Sequence, residues 1–185
     1  MIYWFTGQPA AGKTTLGDLL KIHLEEKRND KDPNNRYKIY RVDGDDMRQL
    51  FSNKDYSIKG RVNNISTAQR ISHYLHNQGY DVIVSLVSPY LDQREEFKSL
   101  LGENIKEIYV HTSEIREREI WKHPGYVAPV KNFIDIDTTI DTPCKSLKKY
   151  LMKYSMFIGR WQPWHGGHRW LIDQRLKKGK NVWIA

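Results

Sequence analysis

Gly7-Gln8-Pro9-Ala10-Ala11-Gly12-Lys13-Thr14 decides the fold. It is a complete G-x-x-x-x-G-K-[ST] phosphate-binding loop, the Walker A pattern, and each element has a physical reason. Gly7 and Gly12 permit backbone angles and a close approach to phosphate that a Cβ would block. The loop presents successive N–H groups, and the helix that follows adds the positive end of its dipole. Lys13 is expected to reach the β- and γ-phosphates, and the Thr14 hydroxyl to ligate Mg²⁺ carried with ATP, with Thr15 beside it. The context agrees. Ile2 to Phe5 is a short apolar run, read as a buried strand, and Lys13 to Glu26 carries Leu16, Leu19, Leu20 and Leu24 at helical spacing.

Outward from the loop, strands and helices alternate. Asn29 to Asn35 is a polar, turn-rich loop; Tyr37 to Val42 reads as a strand closed by Asp43-Gly44-Asp45. Arg61 to His76 reads as a helix stopped by Gly79, and Val82 to Val87 as a strand buried on both faces. Leu91 to Leu101 is a helix ending at Gly102, Ile105 to His111 a strand, Ser113 to Trp121 a helix, and Thr138 to Asp141 a short strand. This order predicts an α/β fold, a parallel sheet with helices on both faces, of the P-loop NTPase type. Ligands of such sheets sit at the carboxyl ends of the strands, where the candidate residues fall.

Composition narrows the function classes. At 185 residues and 39% hydrophobic, the chain has a real core and is not intrinsically disordered. Mean hydropathy is −0.71, and no apolar run approaches the ~18 residues of a membrane span. One cysteine, Cys144, makes neither an internal disulfide nor a zinc site by itself. The motif begins at position 7, leaving no room for a cleavable leader, so the cytoplasm is the expected compartment. The net charge of +8 favours anionic partners. Lys145, Lys148, Lys149 and Lys153, at helical spacing, fit a solvated helix face better than a nucleic-acid stripe.

Phosphoryl transfer also needs a carboxylate near the metal and the acceptor hydroxyl. Asp81 lies at the wrong end of its strand, so Asp43-Gly44-Asp45 is the natural supplier, with Arg48 one helical turn on for an anionic acceptor. An N-cap aspartate beside a turn glycine accounts for the same three residues.

Walker A followed by Val42-Asp43-Gly44-Asp45-Asp46-Met47-Arg48 resembles the adenylylsulfate (APS) kinases, whose pattern there is D-G-D-N-x-R. Asn53-Lys54-Asp55-Tyr56-Ser57, then Arg61-Val62-Asn63-Asn64-Ile65, is similar to the family's N-K-D-L-G-F-S … R-x-x-N-I, two residues shorter before Tyr56. Ser88-Pro89-Tyr90 matches its S-P-Y, and Lys131-Asn132-Phe133 with Ile136-Asp137 resembles its K-G-F-T-G-I-D lid. The blocks span residues 1–153. The resemblance implies an ATP-dependent kinase of the adenylylsulfate 3′-hydroxyl, with Asp45 as the acid nearest that hydroxyl and a ligand of the metal. Arg48, Arg61 and Asn64, with Asp43 and the Ser88-Pro89-Tyr90 turn, would hold the substrate. Tyr56 and Phe133 would sandwich its adenine, and Lys131 and Arg118 would belong to a lid, Arg118 on the ATP side. The chain departs from the family at Ser66-Thr67, at Ile134-Asp135 and after Asp137, although Tyr126-Val127-Ala128-Pro129 occurs upstream. Two other readings stay open: a kinase of another alcohol, such as a nucleoside or a polynucleotide 5′ end, and a non-enzymatic nucleotide-binding module.

From about position 154 the composition shifts. Ile158-Gly159-Arg160-Trp161-Gln162-Pro163-Trp164-His165-Gly166-Gly167-His168 resembles the start of H-x-G-H nucleotidyltransferases. That implies a site where His165 and His168 steady nucleotide phosphates, in a second domain of which residues 154–185 are the opening βαβ piece. One βα unit cannot bury its own apolar face, so Trp161, Trp164, Trp170 and Trp183 are expected to pack on the kinase domain, pair with a second copy in a homodimer, or stay exposed.

Overall fold

The computed structural model describes residues 1–29, 39–115, 122–142, 145–147, 154–157 and 181–184. Five parallel strands form the main sheet: β1 (Ile2–Thr6), β2 (Ile39–Asp43), β3 (Asp81–Ser85), β4 (Ile105–His111) and β5 (Phe133–Asp137), in spatial order β2-β3-β1-β4-β5. Helices α1 (Lys13–Asn29), α2 (Gly44–Leu50), α3 (Ile58–Asn77) and α4 (Leu91–Leu101) make the crossovers. Strand β1, at the centre, sends Ile2 and Trp4 to one face and Phe5 to the other, the two-residue period of a pleated strand. Trp4, Val84, Ile65 and Phe97 fill the core beneath α3 and α4, while Phe5, Leu16, Leu20, Ile83 and Val110 fill the one beneath α1. Every residue of β3 is buried.

Burial explains the odd acid of β3. Asp81, at the amino end, accepts a 2.7 Å bond from the Met1 ammonium and so has a structural partner. Helix α3 starts at Ile58, three residues before the expected Arg61, because Ser57 caps it by accepting from Gly60 N at 3.2 Å.

Two expected elements are corrected. The last strand of the sheet is Phe133–Asp137, and Thr138–Asp141 lies beyond it. Alternation in Phe133-Ile134-Asp135-Ile136-Asp137 turns Ile136 into the core beside Val110, so this segment pairs with β4 and is not a lid. In the span expected as a helix from Ser113, residues Ser113–Ile115 are non-helical, and 116–121 lie outside the described residues. At the carboxyl end, β6 (Tyr154–Phe157) and β7 (Asn181–Ile184) pair in parallel in a sheet of their own.

A candidate phosphoryl-transfer site

The phosphate-binding loop joins β1 to α1, and its glycines are required by geometry. Gly7 has φ +147°, and a Cβ there would stand 2.0 Å from the Val110 carbonyl oxygen. Ala10 takes φ +62° without being glycine, strain of the kind that gathers at ligand-binding loops. Neighbours hold the loop in place. Thr138 Oγ1 donates to the Ala11 carbonyl at 2.9 Å, and Thr6 Oγ1 to that of Val87 at 2.9 Å.

Lys13 is 8% exposed and donates from Nζ to the Gln8 carbonyl at 2.7 Å. Burial brings its pKa down from 10.5 to about 8, with Asp43 and then Asp45 pulling the other way. Thr14 Oγ1 donates to Asp43 Oδ2 at 3.0 Å, while Asp43 Oδ1 accepts the Asp45 amide at 2.9 Å. Asp43 is therefore both the N-cap of α2 and the carboxylate at the Walker hydroxyl. The two accounts of Asp43-Gly44-Asp45 are compatible: the cap sets the carboxylate's aim. The hydroxyl and carboxylate are hard oxygen donors suited to Mg²⁺. Among the described residues no trio of His, Cys, Asp or Glu is placed to hold a metal ion.

Arg41 was not foreseen. It donates from Nη1 to Ser85 Oγ at 3.0 Å and from Nη2 to the Thr14 carbonyl at 3.3 Å, and its Nε pairs with Asp18 at 3.0 Å. Gly17 makes room: a Cβ there would stand 2.1 Å from Arg41 Nη1. A lone arginine within an apolar strand, opposite a helical glycine, was the available signal.

The structure gathers several of the expected acceptor-side residues. Arg48 donates from Nη1 to the Asp55 carbonyl at 2.8 Å and stands 4.1 Å from the Tyr56 ring centroid. Arg61 donates from Nε to the Tyr56 carbonyl at 2.9 Å, its guanidinium 5.6 Å from the same centroid. Buried Asn64 donates to the Gly44 carbonyl at 3.3 Å, tying α3 to the start of α2. Tyr56 is 59% exposed, so its ring offers a surface and is not core packing.

Other expected contacts are not brought there. Ser88 is buried, its Oγ accepting from Trp4 Nε1 at 3.2 Å, so it shapes the turn at φ +43°. The Pro89 carbonyl accepts from Val127 N at 3.0 Å, and the Tyr90 ring meets that of His123 at 5.7 Å. Phe133 packs edge-on against Tyr109 at 6.2 Å, and no ring contact among the described residues joins it to Tyr56. Lys131 is exposed, 3.9 Å from Glu95, and its carbonyl takes Lys98 Nζ at 2.9 Å, anchoring the approach to β5. Arg118, His165 and His168 lie outside the described residues.

Sequence reading also missed a cavity of about 230 Å³ beside the loop, lined by Gln8 to Ala11, Tyr109, His111 and Lys122. Its aromatic wall follows from β4, where Tyr109 and His111 point the same way and stack at 5.0 Å.

Sheet order, loop and acidic strand end together define a P-loop kinase, a phosphotransferase that acts on a hydroxyl group. The profile of the adenylylsulphate kinase family matches residues 1–146, and the chain belongs to that family. An adenylyl-sulfate kinase of Thermodesulfovibrio yellowstonii is 31% identical over 170 residues, covering 81% of each chain. One from Buchnera aphidicola is 28% identical over 149 residues, covering 77% of this chain and 68% of that protein. In fold, the chain is similar to the Mycobacterium tuberculosis APS kinase solved with AMPPNP and APS, with a TM-score of 0.65 at 18% identity. That match covers 81% of this chain and 94% of the other.

Proposed function

We propose that this chain transfers the γ-phosphoryl group of ATP to the 3′-hydroxyl of adenylylsulfate, giving 3′-phosphoadenylylsulfate. The observation that carries the acceptor is the convergence of Arg48 and Arg61 on the ring of Tyr56, an exposed aromatic face flanked by two cations. Such a surface suits a purine joined to a strong anion: the ring stacks the base and the guanidinium groups meet the charge. Family membership supports the same acceptor.

Each residue then has a task. The loop amides and Lys13 hold the donor phosphates, whose negative charge would offset the burial that lowers the Lys13 pKa. Thr14 and Asp43 would hold Mg²⁺, which supplies neutralisation of charge on the β- and γ-phosphates. Asp45, in the first turn of α2, accepts or orients the acceptor's hydroxyl proton. The cavity beside Gln8, walled by Tyr109 and His111, receives the base of ATP. The reaction belongs in the cytoplasm, where ATP is held. For residues 154–185 we infer a segment similar to the H-x-G-H nucleotidyltransferases, with His165 and His168 at a phosphate site; the parallel pairing of β6 with β7 is consistent with that reading.

A phosphoryl-transfer screen with Mg·ATP against adenylylsulfate, nucleosides and oligonucleotide 5′ ends tests this. Turnover is expected with adenylylsulfate. Turnover with another alcohol and none with adenylylsulfate would overturn the acceptor, and no binding of Mg·ATP to folded protein would overturn the whole reading.

A further inference from the structure

Strand β2 turns Ile39, Arg41 and Asp43 toward α1, the face on which Ile39 joins the core beneath that helix. Two of these three reach the same residue of the Walker loop. Asp43 Oδ2 accepts from the Thr14 hydroxyl at 3.0 Å, and Arg41 Nη2 donates to the Thr14 carbonyl at 3.3 Å. Strand β3 adds a third hold through Ser85, which is 3% exposed and paired in register with Asp43. The Ser85 hydroxyl oxygen accepts from Arg41 Nη1 at 3.0 Å, and its proton goes to the Lys13 carbonyl at 3.3 Å. The carbonyls of Lys13 and Thr14 are thus both gripped from the sheet, one through Ser85 and one directly.

Arg41 acts on the backbone of the loop and not on a ligand. Its Nε pairs with Asp18 at 3.0 Å, so all three guanidinium nitrogens are bound to protein. Room for it is made in the helix. A Cβ on Gly17 would stand 2.1 Å from Nη1 and 2.8 Å from Cζ, so any larger residue there would drive the guanidinium out. The amides that meet phosphate are braced separately, by Thr138 on the Ala11 carbonyl and by Lys13 Nζ on that of Gln8. What depends on Arg41 is the first turn of α1, where the Thr14 hydroxyl faces Asp43. Mg²⁺ tolerates little departure from octahedral geometry, so a small drift of Thr14 disturbs the metal more than the phosphates.

We propose that Arg41 is a positioning residue for the metal: with Ser85 it fixes the main chain of Lys13 and Thr14, in a socket that Gly17 opens, so that the Thr14 hydroxyl and the Asp43 carboxylate stay aligned to receive Mg²⁺. This rests on Thr14 and Asp43 as the holders of Mg²⁺, assigned above, and it deepens that assignment.

The test compares three variants. Arg41→Met keeps the stem, Arg41→Lys keeps the charge, and Gly17→Ala keeps the arginine but fills its socket with a better helix former. Calorimetry with a non-hydrolysable ATP analogue, in Mg²⁺ and in EDTA, separates metal from phosphate. Arg41→Met and Gly17→Ala should raise Kd about tenfold in Mg²⁺ and stay within about twofold in EDTA. Arg41→Lys should behave as Arg41→Met does, because an ammonium cannot hold Ser85 Oγ and the Thr14 carbonyl in one fork. The Gly17→Ala, Arg41→Met double variant should be no weaker than Arg41→Met alone. In the nucleotide-free Arg41→Met protein, hydrogen exchange at the Asp18 amide, which bonds the Thr14 carbonyl within α1, should quicken at least ~5-fold. Equal losses in Mg²⁺ and EDTA make the role structural only and overturn the proposal. So do full Mg²⁺ affinity in folded Arg41→Met or Arg41→Lys, additive losses in the double variant, or unchanged exchange at Asp18. A wild-type protein that binds the analogue no tighter in Mg²⁺ than in EDTA refutes the metal assignment instead, and the exchange arm, which needs no metal, still judges the brace.

Discussion

Lys13→Met should stabilise the nucleotide-free protein while abolishing turnover. The lysine is 8% exposed, and its pKa is about 8 in the fold against 10.5 for an exposed lysine. Each unit of that gap corresponds to about 1.4 kcal/mol, so holding the ammonium charged at pH 7 costs the fold about 3 kcal/mol, attraction to Asp43 and Asp45 included. Methionine matches the stem and removes the charge. It also removes the 2.7 Å bond to the Gln8 carbonyl, worth about 1 kcal/mol. The net expectation is a gain of about 2 kcal/mol at pH 7, or about 5 °C in Tm for a chain of this size. The pH dependence fixes the sign. Below pH 8 the lysine is charged in both states and the full cost stands. Between 8 and 10.5 the folded form sheds its proton first, so wild-type stability recovers as pH rises through that window, and the advantage of Lys13→Met shrinks. Urea unfolding of both proteins at pH 7 and at pH 9.5, with and without Mg·ATP, measures all of this. With nucleotide the order should reverse, because only the wild type gains binding stabilisation. A nucleotide-free Lys13→Met protein less stable than wild type at pH 7, or an advantage that does not shrink with pH, refutes the reasoning.

The other predictions concern the carboxylates and the buried ion cluster. Asp45→Asn should cut turnover by ~10²-fold with ATP affinity nearly unchanged, whereas Asp43→Asn, which alters the partner of Thr14, should weaken Mg·ATP binding itself. Calorimetry beside initial rates separates them, and full activity in Asp45→Asn would move the catalytic carboxylate elsewhere. Arg94→Met should cost about 3–5 kcal/mol by urea unfolding, because it removes the 2.7 Å partner of buried Glu107 together with the hydrogen bonds to the Ser88 and Val127 carbonyls. A loss below about 1 kcal/mol would mean that Lys98, 2.5 Å from Glu107, suffices as its counter-ion.

Local signals carried much of this molecule. The Walker spacing located the loop with Lys13 and Thr14 on it because those atoms come from one continuous stretch, whose geometry the glycines and following helix dictate. Strands β1 to β4 were legible from apolar runs, and α4 was read with its observed bounds, for the same reason: periodicity is a property of consecutive residues. Family blocks led to Arg48, Tyr56, Arg61 and Asn64, which the fold gathers. What failed was whatever depended on the partner across a gap. Phe133-Ile134-Asp135-Ile136-Asp137 alternates like an exposed edge strand, and only its pairing with β4 shows that Ile136 is core and Phe133 is Tyr109's neighbour, away from Tyr56. Ser88 looked like a binding serine until Trp4, 84 positions away, took its hydroxyl. Arg41 and Gly17 make sense only as a pair, and Gln8 only with a main chain 115 residues on. Sequence by itself determined the chemistry of the phosphate end, since backbone amides and one lysine within eight residues suffice to build it. Tertiary structure alone decided which carboxylate meets the Walker threonine and which main chain meets the Gln8 side chain, because hydrogen bonds between distant segments leave no spacing to read.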